Sequence, residues 1–241
     1  MRPMRDTPRL ILASTSRYRL ELLQRLRVSF DVVSPEVDEA PTPGEAPKTL
    51  AERLAMAKAV AVATKHPDAV VIGADQVAEL DGMAIGKPHT HERAIEQLQA
   101  MSGRRVVFHT AVAVVRRDRG YARGLLAPVV VTFRSLHDAE IERYLRAEQP
   151  YDCAGSAKSE ALGIALLAAI DSDDPTALIG LPLIRTCTLL REAGFDPLAH
   201  AGPPQAGDAP LGGSERSELG GFMIRAGPPQ AGDAPLGGSE P

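Results

Sequence analysis

A short apolar run, residues 70–77 with the sequence VVIGADQV, constrains the fold of this chain more than any other stretch. Consecutive β-branched residues predict a buried strand. Gly73 and Ala74 leave room for another segment to approach the backbone, and Asp75 has no partner nearby in the sequence. A carboxylate just past a buried strand is either solvated at the edge of a sheet or held there for chemistry. This run alone leaves both interpretations open.

Strand and helix patterns alternate around this run, which predicts an α/β fold. Strands are predicted at residues 9–13, 30–33, 70–77, 106–115 and 129–133. Helices are predicted at residues 20–26, 49–65, 91–101 and 138–146, the last capped near Ser135. Asp81-Gly82 predicts a hairpin turn. A final helix over residues 176–194 is expected to be broken by Pro182, because proline disrupts a helix interior.

The last part of the chain has a different composition. Residues 201–215 recur letter for letter as residues 226–240, and both copies are rich in proline and glycine. Such a segment cannot bury a core, and two copies are too few for a solenoid. We therefore expect one mixed α/β domain over residues 1–198 and a disordered duplicated tail over residues 199–241.

Composition and charge exclude several classes of protein. The formal net charge of −4 gives no electrostatic case for binding nucleic acid. No apolar run reaches the length of a membrane span. The stretch before the first predicted strand is too short to predict a signal peptide. The two cysteines, Cys153 and Cys187, are expected to be reduced thiols and not a disulfide framework. Together these features predict a cytoplasmic protein.

The stretch before the first helix contains a local conflict. Arg17 and Arg19 fall in its first turn, where the helix dipole disfavours cations. Ser14 and Ser16 add hydroxyl groups and backbone N–H groups at the same place. A bound phosphate would resolve the conflict, because helix-start amides and arginines would then converge on one anion. The alternative is an ordinary serine cap with two solvated arginines.

Other charged residues fit the same chemistry. Lys87 lies between Gly86 and Pro88 in a constrained turn, although surface turns often carry lysine. Lys58 lies on the helix over residues 49–65, where a solvated lysine is the simpler interpretation. His109, inside a strand, is expected to be a half-buried histidine and not a metal ligand. The acids that could serve at such a site are Glu36, Asp38, Glu39 and Asp75.

The sequence lacks the motifs of several well-known binding and catalytic sites. No zinc-ligand spacing, no Walker or dinucleotide loop and no nucleophile elbow is present in the sequence. Cations on turns, clustered acids and no strong nucleophile suit hydrolysis of a phosphoanhydride by water. Mg²⁺ or Mn²⁺ would bridge carboxylate and phosphate oxygens, and an aspartate would accept the proton of the water.

Seven ordered motifs resemble the Maf family of nucleotide pyrophosphatases over roughly residues 9–198. They lie at residues 14–23, 37–39, 54–59, 73–76, 86–88, 101–103 and 109–110. The resemblance implies an elongated, twisted, mixed sheet flanked by helices, with a central cleft, related to the inosine-triphosphate pyrophosphatases. It also implies metal-dependent hydrolysis of a nucleoside triphosphate to a monophosphate and diphosphate, and a homodimer. Which acids hold the metal is left open among Glu36, Asp38 and Asp75.

The resemblance also assigns roles to single positions. Asp75 matches the catalytic proton acceptor, and the phosphate-site positions of the family fall on Ser14, Arg19, Lys58 and Lys87. The family often has proline where this chain has Arg17, which leaves the role of Arg17 open.

Residues 153–164 and 174–184 resemble the branch that hydrolyses 7-methyl-GTP, and its specificity positions fall on Tyr18, Gln76 and Glu160. An aromatic ring favours a cationic methylated guanine, and a carboxylate can accept from its N1–H and 2-amino groups. Tyr18 could instead be a tyrosine that packs its helix against the fold, and Glu160 could be an ordinary acid in a surface loop. Two alternatives remain: the dTTP/UTP pyrophosphatase activity of the sister branch, and a non-catalytic, nucleotide-binding regulator of septation.

Overall fold

The structure is a computed structural model that describes residues 8–203. The described residues form a seven-stranded mixed sheet in the order β2-β1-β3-β5-β6-β7, with β4 paired to β3. The strands are β1 (Leu10–Ala13), β2 (Asp31–Val33), β3 (Val70–Leu80), β4 (Met83–Ile85), β5 (Arg105–Arg116), β6 (Tyr121–Phe133) and β7 (Leu167–Asp171). β1 pairs in parallel with β2 and β3, and the remaining pairs are antiparallel. The predicted mixed α/β fold is confirmed.

Helices cover both faces of this sheet. They are α1 (Arg17–Gln24), α2 (Pro47–Lys65), α3 (His91–Met101), α4 (Asp138–Glu148), α5 (Leu183–Glu192) and α6 (Pro197–His200). Odd-numbered residues of β3, such as Val71, pack with α2, whereas even-numbered ones, such as Ile72, pack with α1 and α5 on the opposite face. The α3 and α4 helices lie on a third cluster that includes Ala78 and Phe108. This alternation follows from the two-residue period of a strand.

Gly73 brings α2 into close contact with β3. A Cβ atom at Gly73 would lie 2.5 Å from the backbone nitrogen of Ala59 and even closer to the carbonyl oxygen of Ala55. The room that the sequence predicted beside Gly73 is therefore filled by the backbone of α2. Because the helix lies this close to the strand, a side chain on α2 can reach the next residue on the same face of β3, which is Asp75.

β3 has an open edge in its middle. β1 pairs with β3 up to Gly73, and β4 begins to pair with the same edge at Ala78. Residues 74–77 lie between these two partners. Side chains on either face of β3 can therefore reach the gap. Asp75 lies in this gap, within the strand, and not at the end of a strand as the sequence suggested.

Several predicted elements have different bounds. β3 continues to Leu80, and β6 begins at Tyr121, eight residues before its predicted start, because both strands pair with the long β5. The N-cap of α4 is His137, two residues after the Ser135 near which the cap was predicted. The last predicted helix is indeed broken: a 3₁₀ turn over residues 177–179 precedes α5, which starts directly after Pro182. The predicted hairpin turn at Asp81-Gly82 is confirmed and joins β3 to β4, whereas β7 and α6 are short elements that the sequence pattern did not predict.

The described part of the chain continues past residue 198. Asp196 caps α6 by accepting a hydrogen bond from the Leu198 backbone, and the Gly202 N–H donates to the Arg27 carbonyl oxygen. Most of the predicted tail, from residue 204 onward, lies outside the described residues. Within residues 8–203, no helix is both long enough and apolar enough to cross a bilayer.

Candidate active site

A cleft of about 890 Å³ opens at the gap in the edge of β3. It is lined by the end of β1 and the start of α1, by α2, by the turn after β4 and by two segments after α4. Every site residue that the sequence analysis predicted lines this cleft, namely Ser14, Tyr18, Arg19, Lys58, Asp75, Gln76, Lys87 and Glu160. Their roles remain predictions, but they share one cavity although they are scattered over almost 150 positions of sequence.

The most buried charges of the cleft meet at Lys58. Its Nζ lies 2.7 Å from Asp75 Oδ1 and 2.7 Å from Glu39 Oε1. Lys58 is only 5% exposed and Asp75 only 7% exposed, whereas the Glu39 side chain is largely exposed. Lys58 is therefore not the solvated helix lysine of the simpler interpretation, and it pairs with the Asp75 carboxylate at the gap.

Glu39 is a site residue that the sequence analysis placed in a motif without giving it a role. Partial burial opposes its ionisation, but the hydrogen bond and the charge of Lys58, together with the charges of Lys87 and Arg19, outweigh burial and lower the pKa of Glu39. The other acids proposed as metal ligands are placed elsewhere: Glu36 pairs with Lys65 at the surface, and Asp38 accepts from the Ala40 backbone. Neither lines the cleft.

The start of α1 offers free backbone N–H groups to the cleft. The first helical hydrogen bond runs from the Leu20 N–H to the Ser16 carbonyl oxygen, so residues 17–19 precede it. Ser16 occupies the N-cap position but makes no capping hydrogen bond, and no acid lies in the first turn. Ser14 Oγ instead accepts from the Ser16 N–H. An uncapped helix N-terminus is a site that suits an anion.

Two cations border the same space. Arg19 Nε donates to the Gly180 carbonyl oxygen at 2.9 Å, and among the described residues its two terminal nitrogens have no hydrogen-bond partner. Enclosure by the protein lowers the pKa of Arg19, and the charges of Asp75 and Glu39 partly offset this effect. Lys87 is exposed and forms no ion pair within the described part of the chain. Both groups can therefore point at a phosphate.

The amide of Gln76 has a defined orientation. Its Nε2 lies 2.9–3.0 Å from the Thr110 hydroxyl and from the carbonyl oxygens of Ala177 and Leu178. Carbonyl oxygens only accept hydrogen bonds, so this end of the amide must be the nitrogen. Oε1 receives no hydrogen bond from any described residue, and Gln76 lines the cleft. Gln76 thus offers the cleft an acceptor.

Arg17 packs on the ring of Tyr18. The Arg17 guanidinium carbon lies 4.8 Å from the ring centroid, and Nη2 donates to the Tyr18 hydroxyl at 2.9 Å. Burial raises the pKa of Tyr18, and the hydrogen bond from Arg17 opposes that rise. One position that the family resemblance left open thus contacts a predicted specificity residue.

The remaining candidates have clear positions. Glu160 lines the cleft and is exposed, and its Oε2 accepts a hydrogen bond from the Ser159 hydroxyl at 3.5 Å. His109 Nε2 lies 2.7 Å from Glu79, and its buried Nδ1 has no partner among the described residues. His109 is thus buried, not half-buried as expected, and it does not line the cleft. Cys153 and Cys187 are both free.

Comparisons with known proteins identify a family for this chain. The family described as Maf-like protein matches residues 9–193. A protein named 7-methyl-GTP pyrophosphatase from Polaromonas sp. (strain JS666) is 65% identical over 193 residues, covering 80% of this chain and 88% of that protein. Proteins of the same name from Albidiferax ferrireducens and Burkholderia thailandensis are 64% and 60% identical, covering 78% and 85% of this chain and 94% and 96% of those proteins.

One solved structure also aligns with this chain. The Ham1 protein of Staphylococcus aureus is 18% identical, with a TM-score of 0.39, over 53% of this chain and 72% of that one. At that TM-score the alignment by itself establishes no shared fold.

Proposed function

This chain belongs to the Maf family, and from that premise we propose that it hydrolyses 7-methyl-GTP to 7-methyl-GMP and diphosphate. One observation carries the proposal. The buried Asp75–Lys58 pair and the three predicted specificity residues, Tyr18, Gln76 and Glu160, line the same cleft. The names of the relatives supply the substrate, and the geometry is compatible with it.

The reaction requires an attacking water and a group that takes its proton. Asp75 is the proposed proton acceptor, because its carboxylate is held at the open edge of β3, where a substrate can approach. Lys58 orients that carboxylate through its 2.7 Å contact with Oδ1. Arg19, Lys87 and the free N–H groups of α1 neutralise the phosphates, whose negative charge would otherwise repel the carboxylates.

The donor set also fits a hard divalent cation. Glu39 and Asp75 each bind Lys58 Nζ through one carboxylate oxygen, so their second oxygens remain for a cation, and Mg²⁺ is commonly held by one or two carboxylates together with substrate phosphates. No group of three or more acidic, histidine or cysteine side chains that could hold an ion alone occurs in residues 8–203. We therefore propose that Mg²⁺ or Mn²⁺ enters with the triphosphate, held by Glu39 and Asp75. The ion would supply neutralisation of the phosphate oxygens.

Recognition of the base follows from the acceptors at the cleft. Gln76 Oε1 and the Glu160 carboxylate are both acceptors, which suits the N1–H and 2-amino groups of guanine. Methylation at N7 makes the base cationic, and the Tyr18 ring would add a cation–π attraction of about 0.5–2 kcal/mol. A pyrimidine triphosphate does not present that pattern of donors.

The experiment that tests the function is diphosphate release from 7-methyl-GTP, GTP, dTTP, UTP and CTP with Mg²⁺ or Mn²⁺. We expect 7-methyl-GTP to be preferred, and Asp75→Asn to lower kcat by about 10²–10⁴-fold, the usual contribution of a general base. Preference for dTTP or UTP would instead support the sister activity. Binding without turnover of any nucleotide would support the regulator.

A second variant tests recognition of the base. Glu160→Gln is expected to lower kcat/KM for 7-methyl-GTP more than for dTTP, because an amide offers one acceptor oxygen where the carboxylate offers two. Glu36→Gln, an exposed acid outside the cleft, is the matched control. An equal loss for both nucleotides would contradict the role of Glu160.

Location and assembly are further proposals. We propose a cytoplasmic enzyme, in agreement with two free cysteines and no membrane-spanning helix among residues 8–203. We also propose the homodimer that the family resemblance implied. Cell fractionation tests the first proposal and sedimentation velocity tests the second.

A further inference from the structure

One turn holds three polar side chains of the cleft region through its backbone. The carbonyl turn, residues 174–180, accepts hydrogen bonds at Ala177, Leu178 and Gly180. The donors are the Gln76 amide, the Thr110 hydroxyl and the Arg19 guanidinium, at 2.9–3.0 Å. These contacts join positions separated by 67 to 161 residues of sequence. The turn therefore contacts side chains from both β3 and α1.

These contacts determine what a ligand meets in the cleft. The carbonyl turn holds the nitrogen of the Gln76 amide, so the oxygen is left for the cleft. It also holds Arg19 through Nε, so the two terminal nitrogens are left for a phosphate. Without the turn, the Gln76 amide could rotate and present a donor instead of an acceptor, and Arg19 would lose its direction.

Asp174 shapes the carbonyl turn from inside the protein. Its side chain is completely buried. Oδ2 accepts from the Arg185 backbone N–H at 3.1 Å. Oδ1 lies 3.2 Å from the Thr176 hydroxyl, whose one hydrogen it shares with the Leu181 carbonyl oxygen at 2.8 Å. The Asp174 carbonyl oxygen accepts from the Ala177 N–H, which closes the turn.

The same carboxylate acts at the start of α5. Pro182 is the N-cap residue of α5 and has no side chain that can accept a hydrogen bond. Asp174 supplies the missing acceptor, and Thr176 Oγ1 accepts from the Leu183 N–H. A carboxylate at a helix N-terminus is favoured by the helix dipole. Asp174 thus joins the turn to a helix that packs in the core.

We propose that Asp174 is a positioning residue, which sets the carbonyl turn and thereby the directions of Arg19 and Gln76 toward the substrate. This proposal rests on the proposed function for its substrate. The part that concerns Arg19 requires only a ligand with phosphates. Asp174 does not touch the reacting atoms, so its replacement should change the binding of the substrate more than the chemical step.

The test compares Asp174→Ala with Asp174→Asn. Asparagine can still accept from Arg185 and can donate to Thr176, so it should preserve the turn. We expect Asp174→Ala to raise KM for 7-methyl-GTP by about tenfold or more, because the loss of one hydrogen bond to a charged group weakens binding by about that factor. Asp174→Asn should change KM by less than about threefold. Binding of inorganic diphosphate, measured by calorimetry, should weaken in parallel in Asp174→Ala.

A general loss of stability must be separated from loss of positioning. Leu189→Ala removes a buried core side chain of α5 that takes part in none of the hydrogen bonds of the turn, and should lower Tm while KM stays unchanged. If Asp174→Ala behaves like Leu189→Ala in KM and in diphosphate affinity, Asp174 is structural only and the proposal is wrong. Should Asp174→Ala not fold, Thr176→Val replaces it, with Thr176→Ser as the control that keeps the hydroxyl.

The two proposals fail in different ways. If the wild type does not hydrolyse 7-methyl-GTP, the proposed function is wrong. The diphosphate titration still decides the role of Asp174, because it requires no turnover and no base.

Discussion

Replacing Lys58 by methionine tests the central ion pair of the site. The change keeps an unbranched side chain of similar length but leaves the Asp75 carboxylate, 7% exposed, without its partner. Removing one member of a buried pair costs about 3–5 kcal/mol. Glu39 is largely exposed and can turn toward water, so most of the cost falls on Asp75.

The assay is urea unfolding of both proteins at pH 7. We expect Lys58→Met to lose about 3–5 kcal/mol of the free energy of unfolding. The matched control is Lys65→Met on the same helix, whose exposed pair with Glu36 is worth less than about 1 kcal/mol. A loss for Lys58→Met below about 1 kcal/mol would refute the reasoning.

Two further predictions concern packing and a surface ion pair. Gly73→Ala should destabilise the protein by about 1–3 kcal/mol or more in urea unfolding, because the new methyl group would overlap the backbone of α2. Gly86→Ala, with no atom within 4 Å of the added carbon, should differ from wild type far less, and equal losses would contradict the packing argument. The bidentate hydrogen bonds from Arg53 lower the pKa of Glu45 to about 2, with help from the Thr42 backbone. Glu45→Gln should therefore lower stability above pH 4.5, and the difference from wild type should disappear as the pH falls toward 2; a difference independent of pH would count against this ion pair.

Local patterns predicted the elements with strong periodicity. The helix over residues 49–65 was placed within two residues of its start, because its alanines and leucines repeat along one face. The helix over residues 91–101 was placed correctly at both ends. The long strands were predicted too short, because their outer residues, such as those at 121–128 in β6, are held by pairing with β5 and not by apolar character.

Some residues of the site could be predicted from the sequence and others could not, for a related reason. Residues in compact motifs, such as Lys87 between glycine and proline, can be recognised from neighbours in the sequence. Glu39 and Asp174 cannot, because their importance comes from contacts with Lys58 and with Thr176 and Arg185 that only the folded chain makes. The motifs at residues 37–39 and 174–184 contain both acids, but the sequence does not show which partners these acids contact in the fold.

Periodicity, residue types and motif order predicted the class of fold, the type of chemistry and the family, because these are properties that the linear chain already carries. Only the tertiary structure shows where Asp75 lies. Its strand continues past it, and the gap exists only because β1 stops pairing at Gly73 and β4 starts at Ala78. Tertiary structure also decided that Lys58 is buried between two carboxylates, since the exposure of a side chain depends on the segments that pack around it.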